Sequence, residues 1–208
     1  MARLLYQGHG SYRIISNDNV VIYVDPYAGK GYEVPADLIL VTHQHRDHNQ
    51  LQLVTKKPDC TVIQEKEALT AGQYQSFDIH GIHIQAVPAY NRNHRKEEAV
   101  GYIVTVDQVK IYCSGDTSTT EEMKDMAAMN IDYALLPIDG IYNMEAKEAT
   151  ACAELIGAKH AIPIHMKPGE LFDMKMAETF TAKNRLIVQA GEEIQLEMGS
   201  DVETIIND

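Results

Sequence analysis

The segment Leu38-Ile39-Leu40-Val41-Thr42-His43-Gln44-His45-Arg46-Asp47-His48 constrains this chain more than any other stretch. Its unbroken apolar run reads as a strand buried on both faces. Immediately past the strand end stand three histidines and an aspartate. In an extended chain alternate side chains share a face, so His43 and His45 converge on one ion. If the chain then turns into a helix, Asp47 and His48 project differently and serve a second ion nearby. Imidazole and carboxylate suit zinc, manganese or iron. A lone loop histidine is usually a solvated side chain; this density of ligand types against a strand terminus is not explained that way.

The remaining pattern supplies partners for such a strand. Arg3 to Tyr6, Tyr12 to Ile15, Val20 to Val24, Cys60 to Ile63, Ile82 to Val87, Val100 to Val106 and Val109 to Cys113 are short runs rich in β-branched residues. Asp107-Gln108 is a hairpin-sized connection. Beyond it the pattern alternates. Thr119 to Glu122 resembles a helix start, with Met123, Met126 and Met129 at helical spacing, and Ile131 to Leu136 is a strand. Glu145 to Ile156 reads as a helix closed by Gly157, Ala161 to Ile164 as a strand ending at His165, and Asp173 to Thr181 as a helix. Leu186 to Val188 and Glu193 to Leu196 read as closing strands. Strands first and a strand–helix mixture later imply an α/β (α+β) layered fold with helices on the outer sheet faces.

At 208 residues the chain fits one domain spanning 1–208, and 45% apolar with 23% charged residues is globular composition. A net charge of −12 argues against broad capture of nucleic acid or of an anionic membrane. It leaves room for a small anionic substrate, because bound cations reverse the field inside a cleft. No apolar run approaches a membrane span, and Met1 to His9 lacks the features of a signal peptide. Cys60, Cys113 and Cys152 form no C-x-x-C pattern and read as reduced thiols, so the expected compartment is the cytoplasm.

The H-x-H-x-D-H arrangement over His43–His48 resembles the signature of the metallo-β-lactamase superfamily. Val24-Asp25-Pro26, Ser114-Gly115-Asp116-Thr117 and Ile162-Pro163-Ile164-His165 are similar to its other strand-end motifs, in the same order. Gly8-His9-Gly10-Ser11, Pro88 to Asn91 and Leu136-Pro137 through Tyr142-Asn143-Met144 resemble its small stand-alone metal-dependent hydrolases, a subgroup related to the bacterial L-ascorbate-6-phosphate lactonase. The resemblance implies a four-layer αββα sandwich and two divalent metal ions, zinc foremost, with manganese or iron as alternatives.

Carried over by position, the resemblance assigns one metal to His43, His45 and a third histidine, and the other to Asp47, His48 and His165, with Asp116 between them. Relatives place the third histidine where this chain has Asn91; His94 is assigned because the loop between Pro88 and Val100 can bend to present it. His83, inside the preceding strand pattern, lies too far back. His9, in a glycine-flanked turn near the implied pocket, either contacts substrate, donates to a ligand, or is a turn histidine with no catalytic duty. Asp25 is expected to bond the free N–H of a ligand histidine. Asn91 and Tyr142 are expected either behind a metal ligand or beside the substrate.

A water held by two such cations loses its proton near neutral pH and becomes a nucleophile. Asp47 and Asp116 would orient it, and His94 or His9 would stabilise the oxyanion or protonate the leaving group. The expected activity is hydrolysis of an ester, lactone or phosphodiester bond in a small molecule. A nuclease of the same fold and an inactive metal-binding scaffold are the alternatives, and association into a homo-oligomer is left open. An oxygen- or nitric-oxide-reducing diiron protein is disfavoured, since His45 stands where such proteins have a carboxylate.

Overall fold

The computed structural model describes residues 1–198. Two six-stranded sheets lie face to face. The first contains β1 (Arg3–Gly8), β2 (Ser11–Ile15), β3 (Val21–Val24), β4 (Ala36–Leu40), β5 (Lys56–Ile63) and the late strand β14 (Glu193–Gln195). Their spatial order is β14-β1-β2-β3-β4-β5, antiparallel as far as β3 and parallel from β3 to β5. After β5 come a one-turn helix α1 (Glu65–Ala68) and a two-residue hairpin, β6 (Leu69–Thr70) with β7 (Gln73–Tyr74). The second sheet contains β8 (Ser76–Ile79), β9 (Ile82–Pro88), β10 (Val100–Val106), β11 (Val109–Cys113), β12 (Tyr133–Pro137) and β13 (His160–Ile164). It is antiparallel from β8 to β11 and parallel from β11 to β13.

Alternation along the strands builds the layers. Leu38 and Leu40 of β4 point into the core between the sheets, where they join Tyr6, Tyr12, Ile84, Tyr102, Ile111 and Ile162. Ile39 and Val41 point the other way, onto Tyr23, Tyr32 and Val54. β4 is therefore buried on both faces, as its unbroken apolar run requires. On the second sheet, Tyr112, Ala134 and Leu136 face outward beneath α2 (Ala146–Ile156) and α3 (Met174–Thr179), through Ala149, Cys152, Ala153, Ile156 and Phe180. Gly157 closes α2 at φ +67°, and Asp173 caps α3 by accepting the Met176 N–H at 2.9 Å. The metallo-β-lactamase sandwich is thus the architecture observed.

Some elements differ from expectation. The outer face of the first sheet is covered by the chain between β3 and β4 and a 3-10 turn at Leu51–Leu53, not by a long helix. Tyr23 pins that covering chain by donating to the carbonyls of Gly31 and Val34 at 3.2 and 2.8 Å. Glu121–Met129 is 3-10 rather than α-helical. Met123 and Met126 are buried and Met129 packs beside them; a three-residue spacing aligns on one face in the tighter 3-10 winding. Leu186 to Val188 forms no strand; a single bridge joins Arg185 to Ala161 just before it. Its N–H at Leu186 bonds Ala161, and the next ladder position on β13 is Pro163, which has no N–H to give.

Candidate metal centre

The turn after β1 and the carboxyl ends of β3, β4, β9, β11, β12 and β13 open onto one edge of the sandwich, and each delivers a polar side chain there. After β4 the chain enters a turn closed by His48 N–H on His45 O at 3.0 Å, not the anticipated helix. The turn nevertheless separates the two pairs of side chains.

Two clusters result. In the first, His94 Nε2 lies 3.2 Å from His45 Nδ1, and Asp116 Oδ2 lies 3.5 Å from His94 Nε2 and 3.9 Å from His43 Nε2. In the second, Asp116 Oδ1 lies 3.2 Å from His48 Nε2 and 3.4 Å from His165 Nε2; Asp47 Oδ2 lies 3.7 and 3.5 Å from the same two nitrogens. Asp116 offers one oxygen to each cluster. His43, His48, His94, Asp116 and His165 are buried, while Asp47 is partly open and His45 exposed.

The tautomers are set from behind. His48 Nδ1 lies 2.8 Å from Asp25 Oδ2, His165 Nδ1 2.9 Å from Asp139 Oδ2, and His94 Nδ1 2.9 Å from Asn91 Oδ1. His43 Nδ1 lies 3.0 Å from Thr42 Oγ1, whose own proton goes to Asp25 at 2.6 Å. For His43, His48 and His94 the partner accepts at that contact, so the Nδ1 proton is engaged and the Nε2 lone pair faces the cluster; His165 Nδ1 faces Asp139 as an ion-pair contact outside hydrogen-bond geometry. Gly115, at φ +62°, lets Asp116 approach; a Cβ there would sit 2.7 Å from Thr42 Cβ.

The side chains fit a cation pair. His43 Nε2, His48 Nε2, His165 Nε2 and Asp116 Oδ1 are buried with no hydrogen-bond partner. Orphaned polar atoms of this kind are costly in a packed interior. Their 3.2–3.9 Å spacings are those of nitrogen and oxygen atoms sharing an ion at about 2.0–2.2 Å.

Electrostatics follow from burial and from these charges. Burial, with His48 adding to it, holds His43 well below the ordinary histidine range. Burial also opposes charge on His48 and His165, but Asp116 outweighs it, aided by Asp25 for His48 and by Asp139 and Asp47 for His165. His48 is raised well above its usual value, and His165 to about 9. Asp116 and Asp47 are lowered despite burial, and Asp139 falls to about 2, because imidazoles face all three.

The structure gathers His43, His45, Asp47, His48, His94, Asp116 and His165 at this edge and leaves His83 away on β9, 2.8 Å from Asp78. Asp25 stands behind His48, and Asn91 behind His94. Tyr142 lines a cleft of about 180 Å³ with His45, Asp47, Asn93, His94 and Asp116. His9 is fully buried, Nε2 lying 2.9 Å from Asp47 Oδ2 and Nδ1 3.1 Å from Glu170 O. Of the alternatives for His9, the geometry matches contact with a ligand, Asp47, rather than with substrate. Sequence reasoning missed Asp139 and Thr42. Asp139 had a signal, since an aspartate follows the Pro137 strand end much as Asp25 follows β3.

Comparison with known proteins agrees with this architecture. The beta-lactamase superfamily domain model matches residues 3–165. The chain is 32% identical over 229 aligned positions to a UPF0173 metal-dependent hydrolase of Thermococcus kodakarensis, covering 94% of this chain and 100% of the relative. A second such hydrolase, from Thermococcus onnurineus, is 31% identical over 194 positions, covering 79% of this chain and 84% of the relative. Among solved structures, Igni18, a metallo hydrolase from the hyperthermophilic archaeon Ignicoccus hospitalis, matches with a TM-score of 0.70 at 23% identity. That match covers 93% of this chain and 97% of the other, and at this identity the likeness speaks for the fold. By sequence match and by fold, the chain belongs to the beta-lactamase superfamily and is a metal-dependent hydrolase.

Proposed function

We propose that this protein hydrolyses an ester, lactone or phosphodiester bond of a small anionic molecule in the cytoplasm, using two divalent cations. The observation that carries the reading is the split of Asp116, one oxygen toward each buried histidine cluster. His43, His45 and His94 would hold one ion, and Asp47, His48 and His165 the other, with Asp116 shared. Zinc suits this set first; manganese or iron also take imidazole with carboxylate. Bound cations would acidify water and polarise the carbonyl or phosphoryl group under attack.

The chain's own groups do the rest. Asp47 is the more open of the two carboxylates, at 34% side-chain exposure against 4% for Asp116, and it borders the cleft. It accepts a hydrogen bond from a water or hydroxyl entering there. His94 faces the same cleft with its Nδ1 proton fixed on Asn91, so it orients rather than titrates freely. Tyr142 forms a rigid wall. Its N–H bonds Asp139 at 2.7 Å, and its carbonyl receives Asn91 and Asn93 at 3.0 and 2.8 Å, while the side chain stays half exposed. Exposed Arg92 lies in the adjoining hollow with Asn91 and Tyr142, opposite Glu145 and Glu148.

Size and charge favour a small substrate over nucleic acid. The larger groove beside His45 and His94, about 580 Å³, carries Glu65, Glu97 and Glu98 against Lys66 alone, which repels a polyanion. The test is a panel of lactones, phosphodiesters and carboxylic esters, offered to protein reconstituted separately with zinc and manganese. Turnover of at least one compound, lost in Asp116→Ala, is expected. Metal uptake without turnover of any would favour the inactive scaffold and overturn the proposal.

A further inference from the structure

His9 stands apart from every other histidine at the site. The Nε2 atoms of His48 and His165 lie within 3.7 Å of carboxylate oxygens yet are without a hydrogen-bond partner. His9 Nε2 instead aims at one atom, Asp47 Oδ2, at 2.9 Å and in hydrogen-bond geometry. The other ring nitrogen has its own partner, Glu170 O at 3.1 Å. Both partners accept, so holding the two contacts takes a proton on each ring nitrogen and leaves no lone pair for an ion, although His9 lies within the second cluster.

The surroundings hold His9 in this pose. It sits at φ +55°, a conformation uncommon for a side chain of its size, between Gly8 and Gly10. Its N–H donates to Leu171 O at 2.7 Å, and its carbonyl accepts the Tyr6 hydroxyl at 2.8 Å and the His165 N–H at 2.9 Å. A Cβ on Gly8 would sit 2.7 Å from Leu171 Cβ, and one on Gly10 2.8 Å from His48 Cε1. The turn after β1, the turn carrying Asp47 and the segment from His165 to Leu171 therefore meet at one residue.

We propose that His9 is a positioning residue: it donates from Nε2 to Asp47 Oδ2 and so fixes the partly exposed carboxylate of the second cluster, while Glu170 and Leu171 fix His9. Asp47 needs such a brace because it projects from a turn and its side chain is 34% exposed. Asp25 and Asn91 brace ligands by accepting; His9 braces by donating. The inference rests on the metal-site reading above.

The experiment compares wild type, His9→Phe and His9→Gln by zinc titration calorimetry, metal stoichiometry, and the visible spectrum of the cobalt-loaded protein. Wild type is expected to bind two ions. His9→Phe should keep the first affinity and lose roughly 10–100-fold in the second, the range found when outer partners of metal ligands are removed. His9→Gln, which retains an N–H donor, should recover part of that loss whether or not His9→Phe folds. Cobalt coordination number should be the same in every folded variant. An unchanged second affinity in folded His9→Phe, or a glutamine variant no better than phenylalanine, would overturn the proposal. A cobalt spectrum reporting one nitrogen ligand fewer would also overturn it, making His9 a ligand instead. Wild type that binds no ion would overturn the metal-site reading itself, a separate outcome.

Discussion

Asp25 Oδ2 lies 2.8 Å from His48 Nδ1, and the same carboxylate takes the Thr42 N–H at 2.7 Å and the Thr42 hydroxyl at 2.6 Å. One buried aspartate at the end of β3 thus orients a side chain of each cluster: His48 directly, and His43 through Thr42. Asp25→Ala should lower affinity at both positions by roughly 10–100-fold. It should also destabilise the fold by about 1–3 kcal/mol for each buried donor left unpaired. Zinc titration and denaturant unfolding of the variant check the two effects; a loss confined to one metal position would show that Thr42 does not relay the contact.

Metal and folding should be linked. The ligands come from four separate strand ends, so an ion bound to the folded chain has no equivalent site in the unfolded one. At a free metal concentration a hundred times Kd the linkage stabilises by about 2.7 kcal/mol per site. For a chain of this size that corresponds to a rise in Tm of roughly 5–10 °C. A strong chelator should remove the rise, and zinc or manganese should restore it. Unchanged melting after verified metal removal would count against the site.

Asp116→Ala should be more damaging to metal binding than any change behind the ligands. It deletes one donor from each cluster, so both affinities should fall beyond the roughly 10–100-fold typical of outer partners. Turnover should disappear with them. Elemental analysis of the purified variant against wild type gives the first reading, and activity on whichever compound the panel identifies gives the second.

Tyr142→Ala should act on binding and spare chemistry. The ring lies beside the cleft while its backbone is held by three side chains, those of Asn91, Asn93 and Asp139. Losing about 1.4 kcal/mol of substrate contact raises KM about tenfold with kcat unchanged. A fall in kcat at constant KM would give Tyr142 a role in the chemical step instead.

The thiols should report the packing. Burial pushes Cys113 up to about 12 and Cys152 to about 11, and it raises the less buried Cys60 as well. Native protein at pH 8 should therefore modify at Cys60 alone with a thiolate-directed reagent, and at all three after unfolding. The linkage has a definite sign. Both buried thiols are protonated in either state below the ordinary cysteine value, near 8.5. Above it the unfolded thiols ionise first, so stability is present at neutral pH and declines as pH climbs toward 11 and 12. Mass mapping of modified cysteines and unfolding between pH 8 and 10 test both statements.

The sequence by itself determined the doubly buried strand β4, the alternating pattern of most sheet strands, and the cluster His43–His48 at a strand terminus. These were legible because burial on a pleat has a period of two, and because ligand residues concentrated at a strand end have no packing explanation. Asp25, Asp116 and His165 were equally visible as strand-end residues. Tertiary structure decided the rest. A four-residue turn, closed by Asn91 N–H on His94 O at 3.0 Å, returns His94 over Asn91 and so selects it over the residue nearer the strand. Nothing in Asn91–Lys96 encodes that closure alone. Asp139 and Glu170 acquire their partners only when β12 and β13 lie side by side, and His9 its place only when three distant segments meet. Periodicity reports which face of an element is buried; which side chain a loop residue meets depends on distances between elements that are far apart along the chain.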